Sequence, residues 1–248
     1  MDARLARGEK AIQAYYAVRN PGNSESAGLR YAALAVLHYL RPQGRMVLGG
    51  SAGLKGNGMV FAAELLQRHQ WSASLTEDIE YHMKLILDGE RVTFAPDAVV
   101  WAEMPDTLES SHTQNARWEK GRLEMIRTYV PDLMQQGLKN KNFLLMDAAV
   151  EQIIPPFSVL TGATLASLFG AILLPFRGAS RRWAIFTGFL LITGQAVYLW
   201  AGLRLANAPR QVYRALRGIP KFIMWKIWLY IRVMLGKDAD TWVRTRRN

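Results

Sequence analysis

The chain contains no cysteine, which excludes disulfides, thiolate metal ligands and cysteine nucleophiles together and fits a reducing compartment. Histidine is scarce: His38, His69, His82 and His112 stand far apart, and none forms a helical pair with the spacing of H-E-x-x-H. A zinc site is not expected. Residues 1–10 hold no long apolar run and no small-residue cleavage site, so they do not read as a secretory signal peptide. Acidic residues are almost missing from the last part of the chain, where residues 177–248 contain 14 Lys and Arg against 2 Asp and Glu. Residues 1–176 are balanced, with 17 against 18. The overall charge of +11 is therefore a property of the tail. Because that tail adjoins two long apolar runs, its charge is accounted for by membrane orientation and anionic lipid headgroups, and nucleic acid is not expected as a partner. A nucleic-acid binder would instead show salt-sensitive binding to unrelated DNA.

Half of the 248 residues are hydrophobic, more than a polar-surfaced globule requires, so part of the excess is expected in lipid. The first 150 residues have mixed α/β order. Ala11 to Val18 reads as a strand, Asn20 to Ser24 as a turn, and Leu29 to Leu40 as an apolar helix ended by Arg41-Pro42. The glycine-dense stretch from Gly49 to Gly58 matches neither G-x-x-x-x-G-K-[ST] nor G-x-G-x-x-G, and reads as a close-packed loop with unusual backbone angles. Ser74 to Glu77 has capping-box spacing and opens a helix that runs to Asp88 and stops at Gly89. Two short strands, Arg91 to Phe94 and Ala98 to Trp101, follow on either side of Pro96-Asp97. Leu108 to Tyr129 is helical, with Pro131 as its stop.

After Glu151, Phe157 to Phe176 is uncharged for 20 residues and Trp183 to Leu203 for 21. Each is long enough to span a bilayer, and the tight Arg177 to Arg182 connection makes the pair a transmembrane hairpin with both flanks on one side. The loop carries three arginines and the tail eleven basic residues, so positive-inside bias places the flanks in the cytosol. Lys221 to Leu235 is rich in Trp and large aliphatics but interrupted by Lys226 and Arg232. It reads as an interfacial helix, with a third span as the alternative.

Two polar clusters carry chemistry. Thr76-Glu77-Asp78 places acids in the first turn of a helix, where capping and the helix dipole account for them without any catalytic role. Gln114, Arg117 and Trp118 share one helical face at i, i+3, i+4. An amide, a guanidinium fork and an indole plane together suit hydroxyls, a diphosphate and the apolar face of a pyranose. The same trio equally suits an interfacial anchor.

In their order, and just upstream of two apolar runs, these clusters resemble the T-E-D and Q-x-x-R-W motifs of membrane family 2 glycosyltransferases such as cellulose, hyaluronan and poly-N-acetylglucosamine synthases. Ala11 to Pro21 is similar to the segment after the family's donor-site D-x-D, Leu54 to Met59 (with Gly56, Asn57 and Gly58) to its acceptor-side glycine loop, and Trp242 to Arg246 to a W-x-R-T-x-R ending. The resemblance implies a partial GT-A-type α/β domain in residues 1–150, two transmembrane helices in 151–206, and a basic interfacial helix and tail in 207–248. It implies inverting transfer from a nucleotide sugar to a growing glycan, with Asp78 as general base beside Glu77. Gln114, Arg117 and Trp118 would hold the acceptor and the departing diphosphate, and Arg244 and Arg246 would approach that diphosphate. The family's Mg²⁺ or Mn²⁺ is implied too, but no D-x-D precedes Ala11. The expectation is thus a carboxyl-terminal part, in a bacterial-type inner or plasma membrane with its catalytic part cytosolic, acting with a donor site encoded upstream or in a second polypeptide. The alternative is a non-catalytic, membrane-anchored accessory or truncated relative that binds a glycan or a synthase partner.

Overall fold

The computed structural model describes residues 1–174 and 178–237. A short helix α1 (Asp2–Leu5) leads into strand β1 (Ala11–Val18), the centre of a three-stranded sheet ordered β2-β1-β3. β1 is buried along nearly its whole length, as a strand covered on both faces must be. On one side it pairs antiparallel with β2 (Met59–Phe61), from Ala11 opposite Phe61 to Gln13 opposite Met59. On the other it pairs in parallel with β3 (Val92–Ala102).

The two short strands expected around Pro96-Asp97 are one strand. β3 pairs Ala95 with Ala14 and Val99 with Tyr15, so residues 96–98 stand out of the ladder as a bulge. A proline has no N–H to donate to a ladder, and expelling it lets both halves keep their register with β1.

Between β1 and β2 a continuous helical stretch is built from α2 (Glu25–Leu34), a π-helical segment at Ala35–Leu40 and α3 (Arg41–Val47). Ser24 caps α2, its side chain accepting from the Ala27 N–H at 3.0 Å. The expected stop at Arg41-Pro42 is absent. Pro42 sits in the first turn of α3, where a missing N–H costs little, and the wider π-turn precedes it.

After β2 come α4 (Ala63–Arg68) and α5 (Glu77–Leu87), which ends at Gly89 in the left-handed region (φ +80) as expected. The capping box is not formed: Thr76, not Ser74, is the N-cap residue, and no side chain caps the helix. Ser74 is held instead by Ser72, whose hydroxyl accepts from the Ser74 N–H.

Helix α6 (His112–Lys139) runs straight through Pro131. An internal proline costs about 3 kcal/mol. It is offset by the flanking residues Val130 and Leu133, which are buried with Met83 and Ile86 of α5 and Leu145, Ala148 and Ala149 of α7 (Phe143–Ile153).

α8 (Phe157–Leu173) is shorter than the uncharged run it comes from and meets α7 at a bend of 68°. α9 (Ala179–Leu205) has the length and composition to cross a membrane, and α7 with α8 passes the same test only as a bent pair. α8 and α9 lie antiparallel: Arg181 Nε donates to the Ala171 carbonyl at 3.1 Å, Gly188 sits against Leu168, and Gln195 Nε2 donates to Thr164 Oγ1 at 3.0 Å. The far end of α9 returns to the α/β part, where Leu203 is buried with Val18, Ala27 and Tyr31.

The chain then forms α10 (Arg210–Ala215), a 3-10 turn (Leu216–Gly218) and α11 (Ile219–Met234). Close glycine contacts fix this segment, Gly28 of α2 against Ala215 and Gly218 against Glu25. α11 packs against α6 and α8. The interfacial reading of this helix takes Lys226 as a charge interrupting an apolar face; it is in fact 7% exposed and points inward.

Candidate active site

The site grows from the glycine loop. Gln13 is a polar residue in the middle of β1 and only 1% exposed, so both ends of its amide need partners. Its Oε1 accepts from the Lys55 N–H at 2.9 Å, and its Nε2 donates to the Asn57 carbonyl at 2.8 Å and the Ala14 carbonyl at 2.9 Å. One side chain of the central strand thereby clamps residues 55–57 from both sides of Gly56.

Glycine is needed at two positions of this loop. Gly58 has φ +60, and a Cβ there would come within 2.8 Å of Val100 and 2.9 Å of Ala14. Gly56 has φ +75, and a Cβ there would lie 3.3 Å from Asp78 Oδ2. The loop backbone therefore rests against the Asp78 carboxylate. The start of the loop is fixed separately. Arg45 forms a two-pronged pair with Asp147, Nη2 to Oδ2 at 2.7 Å and Nε to Oδ2 at 3.0 Å, and the same carboxylate accepts from the Ser51 N–H at 3.3 Å.

Asp78 is in the first turn of α5 and half-buried, with Oδ1 accepting from the Ile79 N–H at 2.8 Å. Burial raises its pKa above the ordinary carboxylate value, and neighbouring Glu77 pushes the same way; the Ile79 N–H and the Lys55 ammonium pull back. Glu77 itself is exposed. Lys55 is pushed down to about 8, first by burial and further by Arg45 and Arg41, while Glu151 and Asp78 oppose the change. A carboxylate whose proton affinity is raised and an ammonium whose proton is loosened thus share one end of the glycine loop.

Helix α6 is held against this end of α5. Thr76 is 3% exposed, and a Cβ on Gly121 would come within 2.5 Å of Thr76 Cγ2. Gly121 lies seven residues after Gln114 and continues the helical face of Gln114, Arg117 and Trp118. The glycine contact therefore seats Thr76 of the first cluster about one turn along α6 from Trp118 of the second. Gln114, Arg117 and Trp118 are half-buried, and Arg117 Nε is buried without an acceptor. Asn57 Oδ1 in the loop is likewise buried and unpartnered.

Arg244 and Arg246 lie outside the described residues. Among the described residues no three His, Asp or Glu side chains converge. Gln13, Lys55, Gly121 and the Arg45–Asp147 pair are absent from the sequence-based set. Gln13 leaves a local signal, a lone amide between Ile12 and Ala14 in an otherwise apolar strand, and Lys55 lies inside the glycine loop already singled out.

Known proteins share this arrangement of sequence. The family model described as "Glycosyl transferase family group 2" matches residues 5–234. The chain belongs to that family of transferases. It is 36% identical over 80 residues to a poly-beta-1,6-N-acetyl-D-glucosamine synthase of Staphylococcus aureus strain COL, covering 32% of this chain and 18% of the synthase. It is 27% identical over 124 residues to a probable glycosyltransferase of Sulfolobus acidocaldarius, covering 49% of this chain and 26% of that protein. The matched stretches thus span about a fifth to a quarter of these relatives' length.

Proposed function

We propose that this chain supplies the acceptor and general-base side of an inverting sugar transfer, from a nucleotide sugar to a growing glycan, at the cytosolic face of a membrane. The observation that carries the reading is the seating of Asp78: its carboxylate lies against Gly56 of a loop clamped by Gln13, and α6 is docked beside it through Gly121 and Thr76. An acceptor hydroxyl at that loop gives its proton to Asp78 as its oxygen bonds to the anomeric carbon. The bond from that carbon to the diphosphate breaks on the opposite face, and the leaving group takes the electron pair. Raised proton affinity suits a base working near neutral pH.

Gln114 bonds sugar hydroxyls, Trp118 stacks on the pyranose, and Arg117, with Nε unpaired, meets the developing charge on the diphosphate. Glu77 tunes Asp78. The donor-binding residues, and the metal that would neutralise the diphosphate, belong in this reading to a segment upstream or a second polypeptide.

α9 crosses the bilayer, α8 pairs with it as a hairpin, and the basic tail keeps both flanks cytosolic while the outer face of α11 rests in the interface. On this division residues 1–150 form the catalytic part, 151–206 the membrane part and 207–248 the basic tail.

The test is sugar transfer in membranes containing this chain, with a panel of nucleotide sugars and Mg²⁺ or Mn²⁺, against Asp78→Asn. A fall of about 10²- to 10⁴-fold in the variant is expected for loss of a general base. Equal transfer by both forms overturns the role of Asp78. No transfer by either overturns activity of the chain alone and supports a membrane-anchored accessory that binds a glycan or synthase.

A further inference from the structure

The face of α6 that looks away from Thr76 holds a buried ion pair. Lys226 Nζ of α11 lies 2.8 Å from Glu119 Oε1 and donates to Asn115 Oδ1 at 3.0 Å. All three residues are 7% exposed. Burying an ammonium and a carboxylate carries a desolvation cost that their attraction only roughly returns, so such a pair is weak evidence of stability and better evidence of geometry. Around it the contact is otherwise apolar, with Ala116 packed on Leu229 and Val233. A methionine pair would fill that space without the electrostatic cost.

The geometry has a consequence for the neighbouring turn. Glu119 follows Trp118 directly, and Asn115 follows Gln114, so each ligand of Lys226 is about 100° around the helix from a residue of the Q-x-x-R-W face. An ammonium held by both ligands fixes the rotation of this turn about the helix axis. α11 is in turn held on an adjoining face, where a Cβ on Gly162 of α8 would come within 2.3 Å of Ile227 and 3.0 Å of Ile223. α11 therefore links the apolar helix α8 to the turn carrying Arg117 and Trp118.

We propose that Lys226 is a positioning residue: by pairing with Glu119 and Asn115 it sets the angle at which α6 presents Gln114, Arg117 and Trp118. The functional half of this statement rests on the reading of those three as substrate-binding residues; the positional half does not.

The test separates the two. The native chain has no thiol, so Gln114→Cys gives a single cysteine whose rate of alkylation in membranes reports the setting of the turn without any transfer reaction. In that background, Lys226→Met with Glu119→Met removes both charges together and spares the fold an unpaired buried ion. The alkylation rate is expected to change several-fold while the melting temperature holds. In the cysteine-free chain, the same methionine pair is expected to lower kcat by about 10²-fold, the scale of a small misplacement of binding groups, while the pH profile set by Asp78 stays in place.

An unchanged alkylation rate in the methionine pair overturns the proposal and leaves the ion pair a packing feature. If the methionine pair does not fold, Lys226→Arg, which keeps the charge and moves it, takes its place with the same two outcomes. A changed alkylation rate in a chain that transfers no sugar upholds the positioning role and removes the functional reading alone.

Discussion

At the scale of single residues, Asp78 and Lys55 act on each other through their protons. The Lys55 ammonium favours ionised Asp78, so its removal raises the carboxyl further. Transfer that needs ionised Asp78 should lose activity on an acid limb above the ordinary aspartate value of 3.8, and Lys55→Met should move that limb to higher pH. A pH profile of kcat/KM in the two forms measures this, and coincident limbs would remove Lys55 from the site. Stability should change as well, with a definite sign. Folding lowers Lys55 from 10.5 to about 8, so the folded chain holds this charge at a cost below pH 8, and the cost fades as pH rises from about 8 to 10.5. Lys55→Met should therefore melt higher than the parent at pH 7, with the difference shrinking above pH 8 in a thermal melt series.

At the scale of elements, the contact between α5 and α6 depends on one missing side chain. A methyl added at Gly121 would lie 2.5 Å from Cγ2, 2.7 Å from Oγ1 and 3.1 Å from Cβ of Thr76, which is buried at the helix start. Gly121→Ala is expected to lose about 1 to 3 kcal/mol, as overpacking does, and Gly121→Val more, read as lower urea midpoints at constant m. A transfer assay on the alanine form should show kcat falling further than stability alone requires, since the two clusters are then pried apart.

Elements whose boundaries depend on local chemistry were legible in the sequence. β1 was bounded correctly because a glutamate and lysine precede it and a polar turn follows, and α5 stopped at Gly89 because a left-handed residue was needed there. Pro42 misled because it falls in the first turn of α3 behind a π segment, and Pro131 for a different reason. The cost of a proline is local, whereas the burial that offsets it, Val130 and Leu133 against α5 and α7, comes from residues distant in sequence. The two motifs could be found as strings, but Gly121, Lys55 and the Lys226–Glu119 pair could not. Each takes its role only through a partner brought near by the fold.

At the scale of the whole molecule, α9 leaves its apolar surface bare. Only 6% of its most apolar stretch is buried, and Trp183, Phe186, Phe189, Leu190 and Trp200 are all exposed. A patch of that size on a helix of membrane-spanning length is hard to reconcile with water. The chain should stay with membranes through high salt and alkaline carbonate washes and come off with detergent. Release by salt alone would show that the basic tail holds it at the surface, without a span.

The π-turn at Ala35–Leu40 makes chain length a control on angle. A π segment holds one residue more than an α-helix of the same rise, the local signature of an insertion absorbed without breaking the helix. One residue fewer would let α2 run into α3 as a regular helix and turn everything beyond it by about 100°. Arg45 would then swing away from Asp147, and Ser51 would lose the carboxylate that holds the start of the glycine loop. The number of residues in this helix thus bears on where the loop beneath Asp78 begins.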